Sequence, residues 1–125
     1  MRTATVEILG EAHVLCLSTR AKLDVDERFG GLEKAFDDLS SGDSRKVLET
    51  TFGLLEILMR AGAVYAKRTG MANAEPLTAD DLFDLSGVSD LPDLVNSLRA
   101  AIINGVKREV ETEELDSKNA EATPS

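Results

Sequence analysis

Residues 50–66 read TTFGLLEILMRAGAVYA, a helix-length segment that is apolar on nearly every side. No other stretch constrains the fold as much, because a helix that is apolar all round must be covered all round. Such a segment can cross a membrane, fill a core or meet a partner. A membrane span needs about 20 predominantly apolar residues. This run is shorter and carries Glu56 and Arg60. Spaced four apart with the acid first, those two are expected to pair on one helix face. The segment therefore reads as the central helix of a soluble domain rather than a membrane span, with Leu55, Leu58 and Val64 expected in the core.

The flanking sequence supplies candidate cover. Residues 4–9 (ATVEIL) and 12–17 (AHVLCL) are two short apolar runs around a Gly-containing pair, GE, which predicts a β-hairpin. Val6 and Ile8 then share a face and Glu7 points away. A lone hairpin is marginal in water, so it must lie on helices or on another strand. Ser18 or Thr19 can cap a helix over 19–29, with Ala21, Val25 and Phe29 on one stripe, Leu23 to one side and Gly30-Gly31 as its stop. A short helix over 32–39 follows, its apolar face formed by Leu32, Ala35, Phe36 and Leu39.

Asp43 or Ser44 can cap the central helix, which Gly70 ends. Gly53 and Gly62 lie inside it, where each costs about 1 kcal/mol against Ala. Their presence points to close approach by another backbone. Residues 71–76 (MANAEP) read as a linker. Thr78, followed three residues later by Asp81, predicts a capped helix ending near Gly87. A last helix starts near Pro92, which the first turn tolerates. Leu91, Leu94, Val95, Leu98, Ile102, Val106 and Val110 form its stripe.

Beyond residue 111 almost nothing is apolar. From Glu109 on, six acids face one base, so this end carries −5 of the chain's net charge of −9. The expected architecture is mainly α: one helical domain over residues 1–111 with an N-terminal hairpin, then a disordered acidic tail over 112–125.

No reaction is spelled out. Only 4% of residues are aromatic, so the core must be built from Leu, Val, Ile and Ala; no Lys/Arg cluster is visible, which speaks against nucleic-acid binding. The single cysteine, Cys16, cannot form an internal disulfide, and between Leu15 and Leu17 it reads as packing rather than as a reactive thiol. His13, the single histidine, lies three residues away, on the opposite face of the strand. Residues 24–35 (DVDERFGGLEKA) fail as a calcium loop, since positions five, six and twelve are Arg28, Phe29 and Ala35. The acidic pairs suit helix starts, and no phosphate-cradling loop is present. The opening residues, interrupted by Glu7 and Glu11, do not read as a signal peptide. These readings lead to no catalytic, cofactor or metal residues, and to no nucleic-acid or membrane partner. The over-apolar central helix and the last helix offer instead a partner-binding set: Gly53, Leu54, Ile57, Ala61, Gly62, Leu98 and Ile102.

The order of these pieces resembles the small tail assembly chaperones of long-tailed phages and of phage-like gene transfer agents. The likeness is carried by Leu15, Leu17 and Ser18 leading into a helix that ends at Phe29-Gly30, by Arg60-Ala61-Gly62, and by PLTADDLFDL and DLPDLVNSLRAAI. It spans about residues 5–104. It implies a non-enzymatic protein of the host bacterial cytoplasm that binds the tape measure protein, and possibly the tail tube protein, during tail morphogenesis. In some relatives a frameshift gives a longer form; a homo-oligomer is expected here from the wide apolar helical faces. A small structural or adaptor subunit of a phage particle or bacterial complex is the alternative.

Overall fold

The computed structural model describes residues 3–122, with side chains described for residues 3–107. Two strands, β1 (Thr3–Ile8) and β2 (Glu11–Cys16), precede α1 (Thr19–Phe29), α2 (Leu32–Leu39), α3 (Ser44–Thr69), α4 (Ala79–Leu85), a 3-10 turn (Val88–Asp90) and α5 (Leu91–Ala122). The chain is thus mainly helical with an N-terminal hairpin, as its periodicities imply. The backbone of α5 is helical past the last apolar residue of its stripe. The expectation of a disordered tail over 112–125 falls outside the described side chains, and 123–125 lie outside the described residues altogether.

Local chemistry sets the helix ends. The Ser18 hydroxyl accepts from the Ala21 N–H, and the Asp43 carboxylate accepts from the Arg45 and Lys46 N–H groups. Thr78 and Asp81 form a reciprocal capping box on α4. Gly30 and Gly70 end α1 and α3 at φ 83° and 72°, in the left-handed region where a Cβ is costly.

The hairpin differs from the sequence expectation in its turn. Leu9 and Gly10, not Gly10 and Glu11, are the central residues, both at positive φ. This pattern matches the right-handed twist of the strands. The turn moves by one residue and the pairing by two, so the faces are kept. Val6 pairs with His13 and Ala4 with Leu15; Val6, Ile8 and Leu15 join the core while Glu7 is exposed.

Helix α3 packs against β2, α1, α2, α4 and α5, and α5 also covers β1. That surrounding answers what residues 50–66 require. Phe52, Leu54, Leu55, Ile57, Leu58 and Met59 are all buried, in one cluster with Leu82 of α4 and Leu94, Leu98, Ala101 and Ile102 of α5. The stripe of α5 weakens outward: Leu91 and Val95 are half-buried, and Val106 is exposed. Two other apolar expectations are corrected: Val64 is 58% exposed and Phe36 is exposed as well. Leu23, to one side of the α1 stripe, is also exposed.

The segment after α3 is more than a linker. The Asn73 side-chain oxygen accepts the Val14 N–H at 2.7 Å, and the Ala74 N–H donates to the Ala12 carbonyl at 3.1 Å. Both bonds meet the outer edge of β2, which would otherwise offer unpaired groups to another strand. On the other edge the Asn104 amide donates to the Thr3 carbonyl at 2.9 Å.

Candidate functional site

The two helix-interior glycines are filled by the chain's own neighbours. A Cβ at Gly62 would overlap the Val14 carbonyl of β2. Helix α3 thus crosses the strand backbone to backbone, which any larger residue would prevent. At Gly53 an added Cβ would sit 2.7 Å from the Phe29 ring and 3.2 Å from the Arg28 guanidinium. The backbone approach expected at both positions is present at Gly62, inside the fold; at Gly53 the neighbours are side chains of α1, not a backbone.

The other candidate partner residues divide in two. Leu54 and Leu98 are fully buried, and Ile102 is 3% exposed; all three belong to the internal cluster. A partner meets other elements of the chain before it meets them. Ile57 belongs to the same cluster but, with the half-buried Ala61, also borders an open groove between α1 and the C-terminal half of α3.

This groove has a volume of about 370 Å³. Ala21, Ile57, Ala61, Val64 and Tyr65 give it an apolar lining, with Cys16 at its end on β2. Its charged lining is Arg20, Arg60, Arg68 and Asp24. The three arginines are exposed. None of them takes part in the ion pairs among the described residues, which are Lys22–Asp26, Arg28–Glu56, Arg45–Glu49 and Lys46–Asp38. A net positive rim on so acidic a chain was not foreseen from the sequence. The spacing of Arg60, Val64 and Arg68, one every four residues, is the signal that marks this face. It was masked by the expectations that Val64 is core and that Arg60 pairs with Glu56.

Glu56 has a different partner. Its carboxylate accepts from Arg28 Nη1 at 2.5 Å and from the Ala79 N–H at 3.1 Å, so it ties the end of α1 and the start of α4 to α3. Burial pushes its pKa up. The hydrogen bonds from Arg28 and Ala79, with the charges of Arg28 and Arg60, outweigh that and hold it below the ordinary value.

His13 and Cys16 stand apart in role. His13 shares the core-facing side of the hairpin with Val6, its partner across the strands, and is 2% exposed. Its Nδ1 has no hydrogen-bond partner. Burial lowers its pKa, against an opposing pull from Glu11. Cys16 is buried on the opposite strand face. Among the described residues, no group of three His, Cys, Asp or Glu side chains is placed to hold a metal ion. No helix among them is long and apolar enough to cross a membrane.

The chain matches no known family model, no curated protein and no solved structure.

Proposed function

We propose that this chain is a non-enzymatic tail assembly chaperone, which holds an apolar helical segment of a tape measure protein in the host bacterial cytoplasm while the tail tube forms. The tail tube protein is a second candidate partner, and self-association is part of the proposal. One observation carries the reading beyond its resemblance in sequence. Val64 lies 58% exposed in the groove wall, on a helix whose residues 50–59 are buried except for the half-buried Glu56. An aliphatic side chain left open beside a groove of this size suits a partner's apolar helix face. The groove replaces the two glycines as the point of contact, since their space is already taken.

The test is co-expression with a coiled-coil-rich, tape-measure-like polypeptide. The client is expected to stay soluble and to co-purify, and Val64→Glu is expected to abolish both while the variant stays folded. Equal client solubility without this protein would defeat the proposal.

A second reading, a permanent structural or adaptor subunit, is favoured by a different surface. Phe83, Leu85 and Val88 are exposed by 42%, 46% and 85% within six residues, as an obligate interface would require. Mass spectrometry of finished particles separates the two: a chaperone is absent from them and a subunit is present.

A further inference from the structure

We propose that the α1/α3 groove selects its partner by charge, taking an amphipathic helix whose apolar stripe is flanked by acidic residues. This rests on the chaperone reading of the same groove and adds what kind of helix it accepts. The lining supplies both halves of the argument. Ala21, Ile57, Ala61 and Val64 match an apolar stripe, and Arg20, Arg60 and Arg68 stand around them with Asp24 as the opposing charge.

The placement of the cations decides between occupants. Arg60 and Arg68 are eight residues apart on α3, which puts their Cα atoms about 12 Å apart along the axis. Arg20 faces them from α1 across the groove. A single-headed amphiphile such as a fatty acid brings one carboxylate and can satisfy one end of this row. Carboxylates eight residues apart on a partner helix repeat at the spacing of Arg60 and Arg68, so one acidic helix meets both, with Arg20 on the facing wall. Guanidinium groups suit such contacts because they accept carboxylates in a two-pronged geometry. The rest of the molecule sharpens the choice. A chain of net charge −9 repels an acidic helix in general and admits it where the local field is reversed.

Two synthetic 18-residue peptides with the same Leu/Ala stripe, flanked by Glu in one and by Lys in the other, test this on the full chain labelled with ¹⁵N. The Glu peptide is expected to shift the amides of Ala21, Ile57, Ala61 and Tyr65, and to bind at least tenfold more tightly than the Lys peptide. The double variant Arg20→Glu/Arg68→Glu, which leaves the surroundings of Glu56 intact, is expected to reverse that order while it stays folded by circular dichroism. Equal binding of both peptides in the groove overturns the charge preference and leaves the chaperone reading standing. Shifts confined to other surfaces, or no binding of either peptide, overturn it as well. Two controls name the rival occupants. Myristate binding in the groove more tightly than the Glu peptide reassigns it to a lipid. Self-association that the double variant abolishes reassigns it to the acidic end of a second copy. Should the client instead co-purify undiminished with Val64→Glu, the groove is not where the client binds, whatever the peptides do.

Discussion

The two halves of α3 continue one apolar run yet end in different surroundings. Of residues 50–59, all are buried except Glu56, which is half-buried and spans two neighbouring helices. Of residues 60–69, Gly62 and Ala66 alone are buried. The first half has Arg28 and Phe29 of α1 against Gly53, and Phe83 of α4 edge-on to Phe52 with ring centroids 4.7 Å apart. The second half has β2 at Gly62 and, across a gap, the first turns of α1. Val64 is as apolar as many residues of the covered half. Burial thus follows from which elements reach a surface, and a helix apolar on all sides marks its open side by what remains uncovered.

This contrast can be broken most forcefully on the covered side. Leu58→Ala is expected to cost about 2–5 kcal/mol, as for a core leucine whose cavity does not collapse, read from urea unfolding. A loss below about 0.5 kcal/mol would mean that this half is not covered. Next comes the boundary between the halves. Gly62→Ala is expected to cost about 1–3 kcal/mol by overpacking against Val14, and Gly62→Leu more, because the contact is with backbone. The loss should appear in unfolding of the chain itself, whether or not a partner is present. A glycine kept free for a partner would instead tolerate alanine.

Glu56 is where the covered half is tied to α1 and α4. Glu56→Ala is expected to cost about 1–3 kcal/mol at neutral pH, since it removes hydrogen bonds to a charged group. Its folded pKa is below the ordinary value, so its contribution is present above the unfolded carboxylate pKa and is lost as pH falls through the folded one. The alanine variant should therefore show a shallower acid limb than the parent. His13 adds a separate limb at higher pH. Its pKa is lowered by burial, so stability falls as pH drops below its unfolded value of about 6.5. His13→Leu is expected to flatten unfolding free energy between about pH 7 and pH 5.5; an unchanged slope would place the titration elsewhere. The smallest effect belongs to the open side. Val64→Ala is expected to change stability by less than about 0.5 kcal/mol while weakening client co-purification. A core-sized loss would mean the groove is closed in solution.

Much of the fold was legible because its signals are local. Ser18, Asp43, Thr78, Gly30 and Gly70 punctuate the helices within a few residues of themselves, and the period of Leu94, Leu98 and Ile102 identifies the buried face of α5. The candidate site was legible only in part. Ile57 and Ala61 belong to it, but Arg20, Arg60, Val64, Tyr65 and Arg68 come together only when α1 lies beside α3. The pairing expected between Glu56 and Arg60 failed for a similar reason. Arg28, 28 residues away in sequence, reaches the carboxylate from a neighbouring helix.

The sequence by itself determined that residues 50–66 form a helix needing cover on nearly every side, that a hairpin and four other helices are available to cover it, and that their ends fall at capping residues and glycines. These are short-range matters of backbone conformation, hydrogen-bond capping and periodicity. Tertiary structure alone decided which faces are covered. It set Gly62 against the Val14 carbonyl, turned Asn73 onto the edge of β2, and left Val64 open among three arginines. Those outcomes depend on how separate elements share one surface, and no property of a single element records that.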